Sequence, residues 1–120
     1  MTTRYTVRTN RGATFDITTD DITAVLAQLN DQQKIAIAFG SIGMSKRNIT
    51  SVAPTEAPED ATHTLYTADG GQNAVTLAGT VNDAVAKVNE RPTAFIEIGG
   101  VLIQPNHFDM IVENSATQAQ

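Results

Sequence analysis

The groups able to do chemistry in this chain are few: thirteen Asp and Glu, eight Lys and Arg, two His and no Cys among 120 residues. Without thiols there is no disulfide framework and no thiolate metal site. His107-Phe108-Asp109 brings an imidazole and a carboxylate within two residues, a spacing that would set both on one face of a strand. A metal site needs three or four donors, and no further His, Asp or Glu completes the set, so neither a metal nor a cofactor is expected. His107 therefore reads as a corner residue open to surface contact. His63, just after an acidic stretch, reads as a residue without a role.

Carboxylate pairs do acid–base work when burial or mutual repulsion separates their pKa values. Asp20-Asp21 opens a helical pattern, where the helix dipole accounts for it. Glu97 interrupts the apolar run Phe95-Ile96-Glu97-Ile98, and alternation turns it away from Ile96 and Ile98, toward solvent or a subunit contact. No Ser, His and Asp fall in a nucleophile–base arrangement, so no catalytic residue is expected and the chain reads as a non-enzyme. Gly40-Ser41-Ile42-Gly43 lacks the order of a phosphate loop and runs into a strand, leaving no helix N-terminus to face a phosphate. Lys46-Arg47 is the one basic pair, without aromatic neighbours on which bases could stack. It stands as a candidate for surface contact.

Charge separates the chain into halves. Residues 1–52 carry six Lys and Arg against four Asp, or +2, and residues 53–120 carry two against nine acids, or −7. The acidity argues against non-specific nucleic-acid binding, because phosphate contacts need a positive surface. The split suits a basic half meeting an acidic one, within the chain or in a neighbouring copy. The longest clean apolar run, Ile35-Ala36-Ile37-Ala38-Phe39, is far too short to cross a membrane, and the start lacks a signal-peptide pattern. A soluble, cytoplasmic protein with no membrane partner is the expectation.

The elements that must position these residues follow from periodicity. After Thr18-Thr19-Asp20-Asp21, Ile22, Val25, Leu26 and Leu29 fall on one helical face, with Thr18 or Thr19 as cap and Asn30-Asp31 as stop. Val81, Ala84, Val85 and Val88 repeat the pattern 59 residues on, behind Thr80-x-x-Asp83, the spacing of a capping box. The register persists: Ile35, Ile37, Phe39, Gly40, Ile42, Met44, Ile49 and Val52 fall on Ala94, Ile96, Ile98, Gly99, Val101, Ile103, Phe108 and Ile111. Hairpin turns are expected at Thr9-Asn10-Arg11-Gly12 and Asp69-Gly70-Gly71.

The fold expected is α+β: two diverged ββαββ repeats with one helix each, packed as one compact, mostly antiparallel unit. The halves span 1–52 and 62–113. A Pro- and acid-rich linker covers 53–61, and a frayed tail covers 114–120. Leu26, Leu29, Ile37, Phe39, Val85, Val88, Ile96 and Ile98 are the expected core. Each half also ends in a polar corner and a short strand, Ile49–Val52 or Phe108–Val112.

A helix ending in Leu29-Asn30, an alternating strand, a glycine and then Ile42-x-Met44-x-Lys46-x-x-Ile49-x-x-Val52 resembles small uncharacterised proteins of phages and prophages of Gram-positive bacteria. The resemblance spans residues 18–54 and, more thinly, 77–112, where Pro105 stands in place of Lys46. It implies a phage accessory protein and brings no catalytic residue. The function expected is non-enzymatic, through self-association or a host or phage protein partner, with Lys46, Arg47, Glu97 and His107 as surface-contact candidates. Phe95 opposing Ile96 and Met110 opposing Ile111 point to a second buried surface, hence a homo-oligomer. A binder that sequesters a small nucleotide signal is the alternative, and weak nucleic-acid contact the third.

Overall fold

The alternating stretches and the two amphipathic octets become ten strands and two helices in a computed structural model that describes residues 3–90 and 94–114. Tyr5, Val7, Phe15 and Ile17 build the hairpin of β1 (Thr3–Thr9) and β2 (Thr14–Thr19). Then come α1 (Ile22–Leu29), β3 (Ala36–Phe39), β4 (Ile42–Ser45), a 3-10 turn (Lys46–Asn48) and β5 (Ile49–Pro54). The order recurs as β6 (His63–Thr67), β7 (Gln72–Val75), α2 (Val81–Val88), β8 (Ile96–Ile98), β9 (Val101–Ile103), a 3-10 turn (Pro105–His107) and β10 (Phe108–Glu113). Each run thus has five strands and not four, because the polar corner winds into a 3-10 turn that redirects the chain into a separate strand.

From the helices onward the matching elements start 59 residues apart, as at Ile22 and Val81 or Ile49 and Phe108, except that β8 begins one residue later than β3 in this register. The opening hairpins match at 58. Thr9 and Thr67 each donate their N–H across the turn, to Ala13 and Gly71, and each hydroxyl accepts the N–H of that same residue. Gly12 and Gly70 carry the positive φ, 85° and 90°, that closes both turns. The start of α2 lies nine residues beyond the start of β7, against eight from β2 to α1, which accounts for the change of offset.

The helices are capped differently. Asp21, and not Thr18 or Thr19, caps α1: its carboxylate accepts the N–H groups of Thr23 and Ala24 at 3.1 and 3.3 Å, while Thr19 bonds the N–H of Asp21. Asp reaches the first-turn donors and adds negative charge at the positive end of the helix. Thr80 and Asp83 form the full capping box on α2. Asn30 and Asn89 end the two helices.

Strands β2-β1-β5-β9-β8 form one antiparallel sheet, β10-β6-β7 a second, and β3-β4 a third. The five-stranded sheet joins the halves through β5 and β9, with Ser51 opposite Ile103 and Val52 opposite Leu102. Two cores result. Val7, Leu29, Ile37, Ile49 and Val52 of the first half close around Phe95 and Leu102 of the second. Leu65, Val75, Ala84, Ile96, Ile98, Val101, Ile103 and Ile111 form the other, with Ala53 reaching across.

The radius of gyration, 14.0 Å, is close to the roughly 13.6 Å of a compact chain of this length. Of the expected core, Leu29, Ile37, Ile96 and Ile98 are buried, Leu26, Phe39 and Val88 are half-buried against it, and Val85 is 39% exposed. The segment read as a linker from residue 53 stays in β5 through Pro54, and Ala53 is buried. Asn114 is tied to β6 through its N–H to Thr62 and its side chain to Thr64. The rest of the expected tail, 115–120, lies outside the described residues.

Candidate functional site

The four residues singled out by type stand in three separate places. Lys46 and Arg47 begin the first 3-10 turn. The Lys46 ammonium donates to the carbonyl of Asp31 at 2.7 Å, and both residues border a shallow depression of about 270 Å³ with Ile35, Phe95 and Gln104. His107 ends the second 3-10 turn, so it does not share a strand face with Asp109; its carbonyl accepts the N–H of Ala68 at 2.8 Å. Glu97, in β8, is engaged inside its own half. Its carboxylate takes the Lys87 ammonium at 3.1 Å and the N–H of Gly100 at 2.6 Å, tying α2 to the β8–β9 turn. Among the described residues no group of three metal-ligating side chains occurs, and no helix is long and apolar enough to cross a membrane.

Two grooves occupy matching positions in the halves, each between the strand-to-helix connection, the helix and a glycine turn. The first, of about 460 Å³, is lined by Thr18, Gln28, Phe39 and Gly40; the second, of about 340 Å³, by Leu77, Lys87, Ile98 and Gly99. Their charged groups are already occupied: Asp83 caps α2, Lys87 pairs with Glu97, and Asp16 accepts from the Thr6 hydroxyl. A convergent set of free polar groups, which a ligand site needs, is not what these side chains form.

Two described groups have displaced pKa values. Burial pushes the Tyr5 phenol up. Burial would also raise Asp69, but the Thr67 hydroxyl, the Gly71 N–H and the Arg8 guanidinium outweigh it, and the carboxyl is held below its ordinary range. Arg8 belongs to β1 and sits 3.8 Å from Asp69, so this is a contact between the halves. Its role is structural.

What residue types could not reveal is how unequally the two halves are covered. Phe95, 2% exposed, and Leu102 come from the second half to close the first core. Asn30 holds that approach by donating to the Phe95 carbonyl at 3.1 Å and accepting its N–H at 2.7 Å. Gln104 adds a bond to the Ile49 carbonyl at 2.6 Å. In the second half the residues 59 positions on have no such cover. Leu29 and Ile49 are fully buried, whereas Val88 and Phe108 are half-buried. Thr50 and Ser51 are fully buried, whereas Asp109 and Met110 are exposed, Met110 by 47%.

The converse holds for the hairpins. Where the second half has Phe95 and Leu102, the first has Ala36 and Gly43, both exposed, next to Ile35 at 78% exposure. The second half thus has a less covered core margin beside a sheet-edge strand, β10, and the first half has an edge strand in its hairpin, β4. The two-sided pattern at Phe95 and Met110 was one sequence signal for this; the identity of Asn30 and Asn89 is another, since among the described residues only Asn30 has a side-chain partner.

No family model, no curated protein and no solved structure matches the chain.

Proposed function

We propose that this chain is a non-enzymatic protein that works by self-association, through the uncovered end of its second half. The observation that carries this reading is the paired exposure just described. At Val88, Phe108, Asp109 and Met110 the second half leaves half-buried or exposed what the first half buries at Leu29, Ile49, Thr50 and Ser51. Apolar surface left at a strand edge is costly to a free chain in water, and covering both together favours association.

A diverged duplication explains why the vacancy has a defined shape. The shared element order, the constant offset from helix to last strand and the Thr-centred turns at Thr9 and Thr67 support it. The resemblance of residues 18–54 to small phage and prophage proteins supports a phage accessory protein acting in the cytoplasm. Sequestration of a small nucleotide signal has the two grooves in its favour, but their charged side chains are turned to one another.

Light scattering after size exclusion, at about 0.15 M salt and again at about 1 M, tests the reading. A mass above one chain at the lower salt supports it. A single-chain mass at both salts and at every protein concentration removes it.

A further inference from the structure

We infer that the occupant of the open end is the β3–β4 hairpin of a second copy, its β4 edge adding to β10 in the register that joins β9 to β5 within the chain. This rests on the self-association reading and specifies its partner surface. Within the chain, Ser51 lies opposite Ile103 and Val52 opposite Leu102. Shifting each strand by the 59-residue offset places Met110 of one copy opposite Met44 of the next, and Ile111 opposite Gly43. Both edges are free: β10 ends its three-stranded sheet, and β4 pairs only with β3 among the described residues.

Three further features fit this occupant. First, charge is complementary. β10 carries exposed Asp109 and Glu113, and β4 runs directly into Lys46 and Arg47, which this register brings opposite Phe108 and His107, next to Asp109. A pairing of β10 with another β10 centred on Ile111 would instead set Asp109 against Glu113, like charges directly opposite. Second, the side chains face the right way. Met44 packs against the first core, so Met110 opposite it would lie over that core of the next copy, withdrawing an exposed apolar group from water. Third, Asn89 ends α2 as Asn30 ends α1, is exposed, and makes no side-chain hydrogen bond among the described residues. In the assembly it stands where Asn30 stands within the chain, facing the main chain at Ala36 of the copy.

Each chain has one edge of each kind, so the pairing is head-to-tail and builds a ring or a filament. Ala36 and Gly43 bring no counterpart of the Phe95 and Leu102 side chains, so the junction between copies is weaker than the one inside the chain and depends on concentration.

The chain has no Cys, which makes disulfide trapping clean. Met44→Cys and Met110→Cys are made as separate variants, mixed, and oxidised under conditions where light scattering reads an assembly. Residues directly opposite in an antiparallel pair lie roughly 4.5–5.5 Å apart at Cα, within disulfide reach. The expected result is a covalent pair of chains from the mixture and none from either variant alone. Linkage of Met110→Cys to itself, or an assembly in which the mixture gives no linked pair, overturns this register while leaving self-association standing. A single-chain mass throughout defeats both.

Charge reversal gives a second readout that does not disturb the core. Arg47→Glu, at an exposed side chain, should weaken association by roughly threefold, and Asp109→Arg in the partner should restore much of it. An unchanged dissociation constant counts against the pairing.

Discussion

Truncating Phe95 to Ala separates the side chain that closes the first core from the main-chain bonds that hold it there. Asn30 bonds the N–H and the carbonyl of residue 95, so both bonds survive the substitution. What is lost is a ring 2% exposed, packed in a cluster with Leu29, Ile49, Val52 and Leu102. Removal of a buried aromatic ring costs about 3–5 kcal/mol, through lost transfer energy and the cavity left behind. The ring packs in one cluster with Leu29 of α1 and with Ile49 and Val52 of β5, which places the loss within that range. Against a total of roughly 5–15 kcal/mol that is a large share of the stability. The assay is a urea melt of wild type and variant, at a concentration where light scattering reads a single chain, so that mass action does not enter. A downward shift of the midpoint with an unchanged slope is expected. A loss below about 1 kcal/mol would refute the reasoning, because it would mean that the second half does not fill the first core.

Three other outcomes follow from particular contacts. Gly40→Ala and Gly99→Ala form a matched pair: both glycines have positive φ, 61° and 57°, but an added Cβ meets nothing at Gly40 and meets the Val75 Cβ at 2.8 Å at Gly99. The first should cost about 1–2 kcal/mol for the backbone alone and the second clearly more, read by denaturant melts; equal costs would count against the packing at Gly99. Thr50→Val should leave stability unchanged or raise it, because the Thr50 hydroxyl is buried without a partner; a loss above about 1 kcal/mol would show that the hydroxyl is bonded. Asp69, lowered by its partners, contributes stability above its unfolded pKa of about 3.9 that disappears as pH falls through the lower folded value. The stability gap between wild type and Asp69→Asn should therefore narrow as the pH drops below about 4, and a constant gap would contradict the contact with Arg8, Thr67 and Gly71.

The parts of the fold visible in the sequence are those set by local physics. Helix faces at Ile22 to Leu29 and Val81 to Val88 announce themselves by spacing, the capping box at Thr80 by its pattern, and the turns at Gly12 and Gly70 by residue type. Asp21 displaced the threonines as cap because several side chains in a row can serve and only the backbone angle chooses. The pairing of β5 with β9 is not local: its register depends on Phe95 and Leu102 entering a core 40 and more residues earlier in the chain, at Ile49 and Val52. Val85 was expected inside because its spacing matches Leu26. It is 39% exposed, and Leu26 itself is only half-buried, so this position lies at the margin of the buried helix face in both halves. Lys46, Arg47 and Met110 were legible as contact residues, whereas Asp109 and Asn89, which share their proposed interface, are ordinary in type and acquire meaning only from the edge on which they stand.

The most direct test of the open end is amide hydrogen exchange along β10, followed at rising protein concentration with β5 as internal reference. Both edges of β5 are paired, to β1 and β9, whereas β10 is paired to β6 on one side only. If a second copy covers β10, its outward-pointing amides will exchange as slowly as those of β5 in the assembled protein and lose that protection on dilution. Outward amides of β10 that exchange at the rate of unpaired groups at every concentration would contradict it.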